Sequence, residues 1–278
     1  MDASPVKTIL LRTAGTNCDR ELALAFEMAG SHVDTVHINE LMANPGRLAD
    51  YQILALPGGF SYGDDIASGR ILANQIVHHL GEALQQWIAD GKMMLGICNG
   101  FQTLVKAGLL PGPMPQLSPD DAFPATLTDN ANGRFMDCWI RLLSTSAHCP
   151  WMKPGKFLDL PIAHGEGRFV VRDNSVLEAL RANDQVAFRY VDAAGNVAVA
   201  SPENPNGSVD GIAGVCDVTG RVLGLMPHPE RFISSHLHPT WTRQQSPPAP
   251  AGLELFQNAV DFIRQNSAVT VYDTAGSR

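Results

Sequence analysis

The chain has 278 residues, of which 45% are hydrophobic and 17% are charged, and its formal net charge is −8. This is the composition of a globular protein and excludes wholesale disorder. The acidic balance weighs against a nucleic-acid binder and against docking on an anionic membrane, because both need basic residues facing phosphate. No apolar run approaches the ~20 residues that span a bilayer, and the chain does not open with a secretory signal, so we expect a cytoplasmic protein.

The cysteines are few and scattered, at positions 18, 98, 138, 149 and 216. Five is an odd number, and no two of them form the CxxC spacing that structural zinc sites use. A disulfide framework is therefore not expected, and neither is a metal site.

The first hundred residues alternate between strand and helix patterns. Strands are predicted at 8–12, 33–38, 51–56 and 93–97, and helices at 67–90 and from 99 onward. Another helix is predicted to end at Ala29 after a cap at Asn17 or Asp19. Strands separated by helices predict right-handed crossovers and a parallel sheet covered on both faces. We predict one three-layer α/β domain over residues 1–278 with a central, mostly parallel sheet.

The pattern changes after Leu110. Proline-rich stretches near 111–124 and 240–251 are predicted to be loop extensions of the domain. Segments 125–130 and 135–143 flank Asn132-Gly133, a strong turn signal, and are predicted to pair as a hairpin. Further strands are predicted at 185–191, 211–217 and 222–226, and helices at 173–181 and 253–265.

The most informative segment is Gly96-Ile97-Cys98-Asn99-Gly100, where a buried strand runs directly into a helix. This small-x-nucleophile-x-small spacing is typical of a nucleophile elbow, here with cysteine in the nucleophile position. A helix N-terminus favours a thiolate, and the Asn99 amide can help to bind an oxyanion. The alternative is that Cys98 is a buried, inert cysteine. Cys18 also lies near a helix start but lacks flanking glycines, so it ranks below Cys98.

A thiol nucleophile needs a proton carrier, and His228 is the best candidate. It follows a predicted strand, lies between Pro227 and Pro229, and has Glu230 two residues on. A carboxylate against one imidazole nitrogen sets the tautomer and leaves the other nitrogen free to exchange protons. Without an elbow cysteine, a surface-loop histidine would be the simpler interpretation.

Gly58 and Gly59 follow the third predicted strand. Glycines there let backbone N–H groups approach a ligand closely, as in the second oxyanion donor of elbow hydrolases. A plain turn is the alternative. The segment His164-Gly-Glu-Gly-Arg168 could line a pocket or cap a hairpin.

These segments resemble class I, triad-type glutamine amidotransferases. The resemblance rests on Pro57-Gly-Gly-Phe-Ser61, Leu95-Gly-Ile-Cys-Asn-Gly-Phe-Gln102 and Pro227-His-Pro-Glu-Arg231. Within that class the family of glutaminase subunits of phosphoribosylformylglycinamidine synthases is the most similar. Gly15-Thr-Asn-Cys-Asp19 and Pro161-Ile-Ala-His-Gly-Glu-Gly-Arg168 carry that finer resemblance.

The resemblance implies a flavodoxin-like fold and hydrolysis of L-glutamine through a Cys98 thioester, with His228 and Glu230 completing the triad. It implies oxyanion or substrate binding at Gly58, Gly59, Asn99 and Gln102. It further implies that ammonia passes to a synthetase subunit, with a small accessory subunit in the same complex. No cofactor is expected in this chain, since ATP and magnesium belong to the synthetase, which forms the amidine from formylglycinamide ribonucleotide in purine biosynthesis.

Three other functions stay open at this point. The chain could be the glutaminase of another class I amidotransferase, an elbow-cysteine hydrolase or peptidase of similar fold, or an inactive scaffold that only binds a synthetase.

Overall fold

The structure is a computed structural model that describes residues 5–114, 123–243 and 248–275. The strands are β1 (Lys7–Arg12), β2 (His32–His37), β3 (Ile53–Leu56), β4 (Met93–Ile97), β5 (Ala125–Thr128), β6 (Met136–Ser144), β7 (Phe157–His164), β8 (Arg168–Val171), β9 (Val186–Tyr190), β10 (Ile212–Cys216) and β11 (Val222–Leu225). The α-helices are α1 (Asp19–Met28), α2 (Ile38–Ala43), α3 (Arg70–Ala89), α4 (Asn99–Lys106), α5 (Asn174–Ala182) and α6 (Ala251–Ala275).

The main sheet has the strand order β2-β1-β3-β4-β11-β10-β9-β6-β7. The five strands from β2 to β11 run parallel, and this order is the flavodoxin-like one. The other four strands extend the sheet in antiparallel pairs. The prediction of an α/β fold built on a mostly parallel sheet flanked by helices is confirmed, with the addition of this antiparallel extension.

Helices cover the parallel half on both faces because the strands after β1 are added to the sheet on both sides of it, β2 on one side and β3 and β4 on the other. The step from β1 to β2 goes one way along the sheet and the step from β3 to β4 goes the other, so right-handed crossovers place α1 and α3 on opposite faces. Phe26 of α1 meets Phe256 of α6 edge to face at 5.0 Å. Helix α3 buries the apolar stripe Leu72, Ile76, Leu80, Leu84 and Trp87.

The hairpin prediction for residues 125–143 is wrong. The turn at Gly133 forms, with the Gly133 N–H donating to Asn130 O at 2.8 Å. The flanking strands nevertheless separate: β5 pairs with β8, and β6 joins the main sheet between β7 and β9. Neither β7 nor β8 was predicted, so the partners that take up the two arms of the turn were missing from the sequence-based topology.

Two further predictions concern the start of α1 and the proline-rich loop extensions. The N-cap of α1 is Cys18 rather than Asn17 or Asp19, and no side chain caps the helix. Of the two predicted loop extensions, residues 115–122 and 244–247 lie outside the described residues. The single-domain organisation stays a prediction. No helix within the described ranges has the length and apolar character of a membrane span.

Close packing of α4 on the sheet yields a stability prediction. A methyl group on Gly100 would overlap the carbonyl oxygen of Leu56, which is backbone and cannot swing aside. We expect Gly100→Ala to lower the free energy of unfolding by about 1–3 kcal/mol or more, as overpacking does. Urea denaturation measures this change.

Gly81→Ala is the matched control. Gly81 also lies in a helix, but a methyl group there meets no atom within 4 Å. This substitution should stabilise the chain by about 0.5–1 kcal/mol, because alanine is the better helix former. Equal effects of the two substitutions would contradict the packing argument.

Candidate active site

Cys98 stands at the turn between β4 and α4. Its backbone has φ 51° and ψ −107°, a positive-φ conformation that a non-glycine residue rarely adopts. Glycines at plus and minus two permit the turn: a methyl group on Gly96 would lie 2.7 Å from Gly100 backbone atoms. The Cys98 N–H donates to Leu225 O of β11 at 2.9 Å, which ties the turn to the neighbouring strand. The strand-to-helix elbow predicted at this cysteine is therefore present.

His228 and Glu230 form a buried pair just beyond the end of β11. His228 Nδ1 lies 2.6 Å from Glu230 Oε1, and each residue is about 1% exposed. Glu230 belongs to a short 3₁₀ turn, Pro229–Arg231, which carries its carboxylate back to the ring. Nδ1 therefore carries the proton, and Nε2 has no hydrogen-bond partner within the described part of the chain.

Strand β7 positions both the cysteine and the histidine. The His228 N–H donates to Pro161 O at 2.9 Å, and the Cys98 thiol donates to Ala163 O at 3.7 Å. Burial by itself lowers the pKa of His228, but the Glu230 carboxylate and then Cys98 outweigh it and raise this pKa well above its ordinary value. The pair thus favours an imidazolium ion beside a nucleophilic sulfur.

The loop after β3 brings Gly58 and Gly59 to the same place. A methyl group on Gly58 would lie 2.8 Å from His228 Cε1 and 3.4 Å from Cys98 Cβ. Gly59 has φ 139° and packs so closely on the loop 15–17 that a side chain would meet its backbone at 2.7–2.9 Å. The turn is thus fixed by its contacts, and its backbone borders the cysteine and the histidine.

Asn99 and Gln102, on the first turn of α4, use their side chains to join neighbouring loops. Asn99 Oδ1 accepts the Ser61 N–H at 3.2 Å, and its Nδ2 donates to Asp64 Oδ1 at 3.0 Å. Gln102 Oε1 accepts from Asn99 Nδ2, and Gln102 Nε2 donates to the carbonyl oxygen of Glu166. Both residues therefore lie beside Cys98 and connect the loop 61–69 to the turn after β7.

His164 is a site neighbour whose segment, His164-Gly-Glu-Gly-Arg168, was predicted either to line a pocket or to cap a hairpin. It is 3% exposed, its Nδ1 lies 3.1 Å from Asn130 Oδ1, and Asn130 Nδ2 donates to His164 O. Burial and then the charge of His228 lower the pKa of His164 to about 4. His164 is therefore neutral at pH 7 and adds no second positive charge beside His228.

Cys18, ranked below Cys98 as a nucleophile but expected near a helix start, is the N-cap of α1 and also lies beside the site. Cys18 is 1% exposed, and a methyl group on Gly58 would lie 3.1 Å from its Sγ. Arg231 Nη2 donates to Cys18 Sγ at 3.1 Å. The Gly15-Thr-Asn-Cys-Asp19 turn was the available signal, but nothing local in it reveals that β1 and β11, with β3 and β4 between them, end at the same edge of the sheet.

A family model for the CobB/CobQ-like glutamine amidotransferase domain matches residues 5–263. The chain belongs to this glutamine amidotransferase family. The resemblance seen in the elbow and histidine segments is thereby confirmed. Within the family, the subunit-level resemblance is supported by named relatives that match nearly end to end.

One such relative is the phosphoribosylformylglycinamidine synthase subunit PurQ of Dehalococcoides mccartyi, 45% identical over 94% of this chain and 99% of its own. The subunit of the same name from Methanococcus maripaludis strain S2 is 40% identical over 93% of this chain and 98% of its own. Among solved structures, a chain of PurLQS from Thermotoga maritima superposes with a TM-score of 0.68 and 30% identity, covering 93% of this amidotransferase and 99% of that chain.

The low pKa of His164 predicts a specific acid sensitivity. Below pH 6.5 the unfolded chain takes up a proton at His164 that the folded chain refuses until about pH 4. Stability is therefore fully present above pH 6.5 and falls between pH 6.5 and 4, by about 3 kcal/mol for the whole interval.

Urea denaturation of the wild type and His164→Gln at several pH values checks this. Glutamine can keep a hydrogen bond to Asn130 but does not titrate, so the variant should lose less stability between pH 6.5 and 4. Parallel pH profiles for the two proteins would contradict a buried neutral His164.

Proposed function

We propose that this chain hydrolyses L-glutamine to glutamate and ammonia and supplies the ammonia to a phosphoribosylformylglycinamidine synthase. The observation that carries the proposal is the strained turn at Cys98 placed against the buried His228–Glu230 pair. A nucleophile next to a base that is itself oriented by a carboxylate is the arrangement of triad hydrolases. Membership of the amidotransferase family supplies glutamine as the substrate.

In the first half of the reaction, the Cys98 thiolate attacks the side-chain amide carbon of glutamine. The carbonyl oxygen becomes an oxyanion, which the backbone N–H groups near Gly59 and Asn99 stabilise. The imidazolium of His228 gives the Nε2 proton to the leaving nitrogen, so the C–N bond breaks and ammonia departs. Glu230 keeps Nδ1 protonated throughout.

In the second half, His228 is neutral at Nε2 and accepts a proton from water. The resulting hydroxide attacks the glutamyl thioester, the C–S bond breaks, and glutamate leaves with the Cys98 thiolate restored. Each proton transfer and covalent step is thus assigned to Cys98, His228 or water, and the chemistry proposed for this chain calls for no cofactor.

Gly58, Gly59, Asn99 and Gln102 are proposed as the glutamine-binding surroundings of Cys98. Gly58 leaves a space open beside Cys98 and His228. A methyl group on Gly58 would occupy that space, because it would lie 3.4 Å from Cys98 Cβ and 2.8 Å from His228 Cε1. Asn99 and Gln102 hold the loops on either side of α4, so their contribution is the position of backbone donors around the substrate.

A synthetase subunit, with a small accessory subunit, is the proposed partner. The loop 61–69 beside the site presents Ile66, which is 74% exposed, and Phe60 just before it is 46% exposed. Apolar side chains exposed next to a site favour coverage by another protein. ATP and magnesium are placed on the synthetase, which captures the ammonia on formylglycinamide ribonucleotide, and the complex is proposed to be cytoplasmic.

The other candidate functions have less support. An inactive scaffold would not need Glu230 buried against His228 with one carboxylate oxygen lacking a partner among the described residues. A peptidase or a different class I amidotransferase would share the triad, but the relatives of 40–45% identity that align nearly end to end carry the synthase-subunit name.

Cys98→Ala should abolish glutamine hydrolysis, by about 10⁴-fold or more in kcat, because the substitution removes the sulfur that is proposed to form the thioester. In the assembled complex, synthesis driven by glutamine should disappear while synthesis driven by added ammonium salt persists. Glutamate release and amidine formation, measured in parallel, check both statements.

Cys149→Ala is the matched control. Cys149 is also buried, but its N–H donates to Ser146 Oγ in the loop after β6, away from the elbow. This variant should hydrolyse glutamine at the wild-type rate. Substantial hydrolysis by Cys98→Ala would exclude Cys98 as the nucleophile.

The partner should accelerate glutamine hydrolysis by about tenfold or more, within the usual range of coupling energies, because docking orders the loops around Cys98. Ile66→Asp should reduce this acceleration and leave the slow hydrolysis by the free chain unchanged. Val77→Asp, at a residue 47% exposed on α3, should keep the full acceleration. Equal hydrolysis rates with and without the synthetase would argue against coupling.

A further inference from the structure

Cys18 and Cys98 are two free, buried thiols that border the same space. A methyl group on Gly58 would lie 3.1 Å from Cys18 Sγ and 3.4 Å from Cys98 Cβ, so the two cysteines approach each other across the position of one absent side chain. Cys18 belongs to the turn after β1 and Cys98 to the turn after β4, so their separation along the chain does not reveal this proximity.

Positive groups lie beside the Cys18 sulfur. Arg231 Nη2 donates to it at 3.1 Å, and a ring nitrogen of His228 lies within 4.8 Å of it. Burial, and to a smaller extent Glu230, raise the pKa of Cys18, whereas His228 and Arg231 act in the opposite direction without overcoming burial. Cys18 is therefore a thiol at neutral pH, but the cations beside it stabilise the negative charge that its sulfur develops when it attacks an electrophile.

The two thiols differ in what can reach them. Cys98, the proposed nucleophile, opens to the space that is proposed to admit glutamine, and a solute as small as hydrogen peroxide can enter the same way. Cys18 is 1% exposed, and its thiol donates to Asn17 Oδ1 at 3.2 Å. This difference assigns an order, in which an oxidant meets Cys98 first and Cys18 reacts afterwards with the oxidised sulfur.

We infer that Cys98 is a site of reversible oxidation by hydrogen peroxide, and that Cys18 attacks the oxidised sulfur to form a Cys18–Cys98 disulfide. The oxidation rests on the proposed function, because the thiolate that attacks an amide carbon is also the form of cysteine that attacks peroxide. The disulfide rests on the placement of both cysteines beside Gly58. Its consequence is a chain that is inactive but protected from irreversible oxidation.

The chemistry has two steps. The Cys98 thiolate attacks hydrogen peroxide, so the O–O bond breaks and a sulfenic acid forms, while the imidazolium of His228 gives its Nε2 proton to the departing hydroxide, which leaves as water. The sulfur loses the two electrons that the peroxide gains. Cys18 Sγ then attacks the Cys98 sulfur, the S–O bond breaks, and hydroxide leaves with the Cys18 proton as a second water. A thiol reductant restores both cysteines by exchange.

The contacts that closure of this disulfide breaks are weak ones. A disulfide needs the two sulfurs at about 2.0 Å, so the Cys98 side chain must turn and the Cys18 turn must shift toward it. The Cys98 thiol is held by a 3.7 Å contact to Ala163 O. The N–H groups of Asn17 and Cys18 donate to Gly58 O at 3.5 and 3.3 Å, which is long for amide hydrogen bonds. No side chain caps α1 at this end, so the turn is free of that further restraint.

Peptide mapping of the full chain after exposure to excess hydrogen peroxide tests the linkage, with the remaining free thiols alkylated under denaturing conditions. The wild type and Cys149→Ala should give a pair of peptides joined through Cys18 and Cys98, which a thiol reductant separates. Cys18→Ala and Cys18→Ser cannot form this bond. Their Cys98 should proceed to the sulfinic acid, which a thiol reductant does not restore.

Glutamine hydrolysis after the same treatment tests the consequence. The wild type and Cys149→Ala should lose hydrolysis in peroxide and, relative to their untreated rates, recover about tenfold more of it on reduction than Cys18→Ser does. Absence of the joined peptides from the oxidised wild type would overturn the inference, and so would full recovery of Cys18→Ser. Because peptide mapping needs no catalysis, a chain that forms the disulfide but does not hydrolyse glutamine would refute the proposed function alone.

Discussion

The close approach of α4 to the sheet is the constraint on which the site depends. Three strands permit this close packing, because at each contact either the strand or the helix has a glycine in place of a side chain. Gly100 faces the Leu56 carbonyl of β3, Gly96 of β4 lies against the first turn of the helix, and Gly224 of β11 accommodates the Phe101 ring. With the helix held this close, the chain between β4 and α4 has room for a single residue, and Cys98 takes a positive φ to bridge it. The sulfur is thereby directed by packing that lies entirely outside the catalytic residues.

The second requirement is electrostatic. Glu230 is a carboxylate about 1% exposed, and such a group costs several kcal/mol to bury unless a partner compensates it. His228 compensates this cost by pairing with Glu230. In return, the Glu230 charge holds the pKa of the His228 imidazole well above its usual value. Buried ion pairs contribute little net stability, so this one is better explained by chemistry than by folding. The neutral His164 fits the same requirement, because a second charge there would oppose protonation of His228.

The sequence predicted the parallel half well, because each element there carries its own pattern. Strand β4 is a continuous apolar run and α3 shows a clear apolar stripe, so both were located to within a few residues. The elbow and the His228–Glu230 segment are also local, which is why their residues could be named in advance. The prediction failed where pairing decided the structure. Pro161 interrupts the strand pattern of β7, and without β7 and β8 the segments beside Asn132-Gly133 had only each other to pair with.

Cys18 shows why a site can contain more than its sequence indicates. In a parallel sheet the carboxyl ends of the strands meet at one edge, so the turns after β1, β3, β4 and β11 are neighbours however far apart they are in the chain. That edge gathers Cys98 and His228 for catalysis, and it necessarily gathers whatever else those turns carry. Gly58 is the clearest case: one missing side chain leaves the space that Cys18, Cys98 and His228 all border. The missing side chain at Gly58 that would admit a substrate carbonyl to Cys98 therefore also lets the Cys18 thiol lie close to the His228 imidazole.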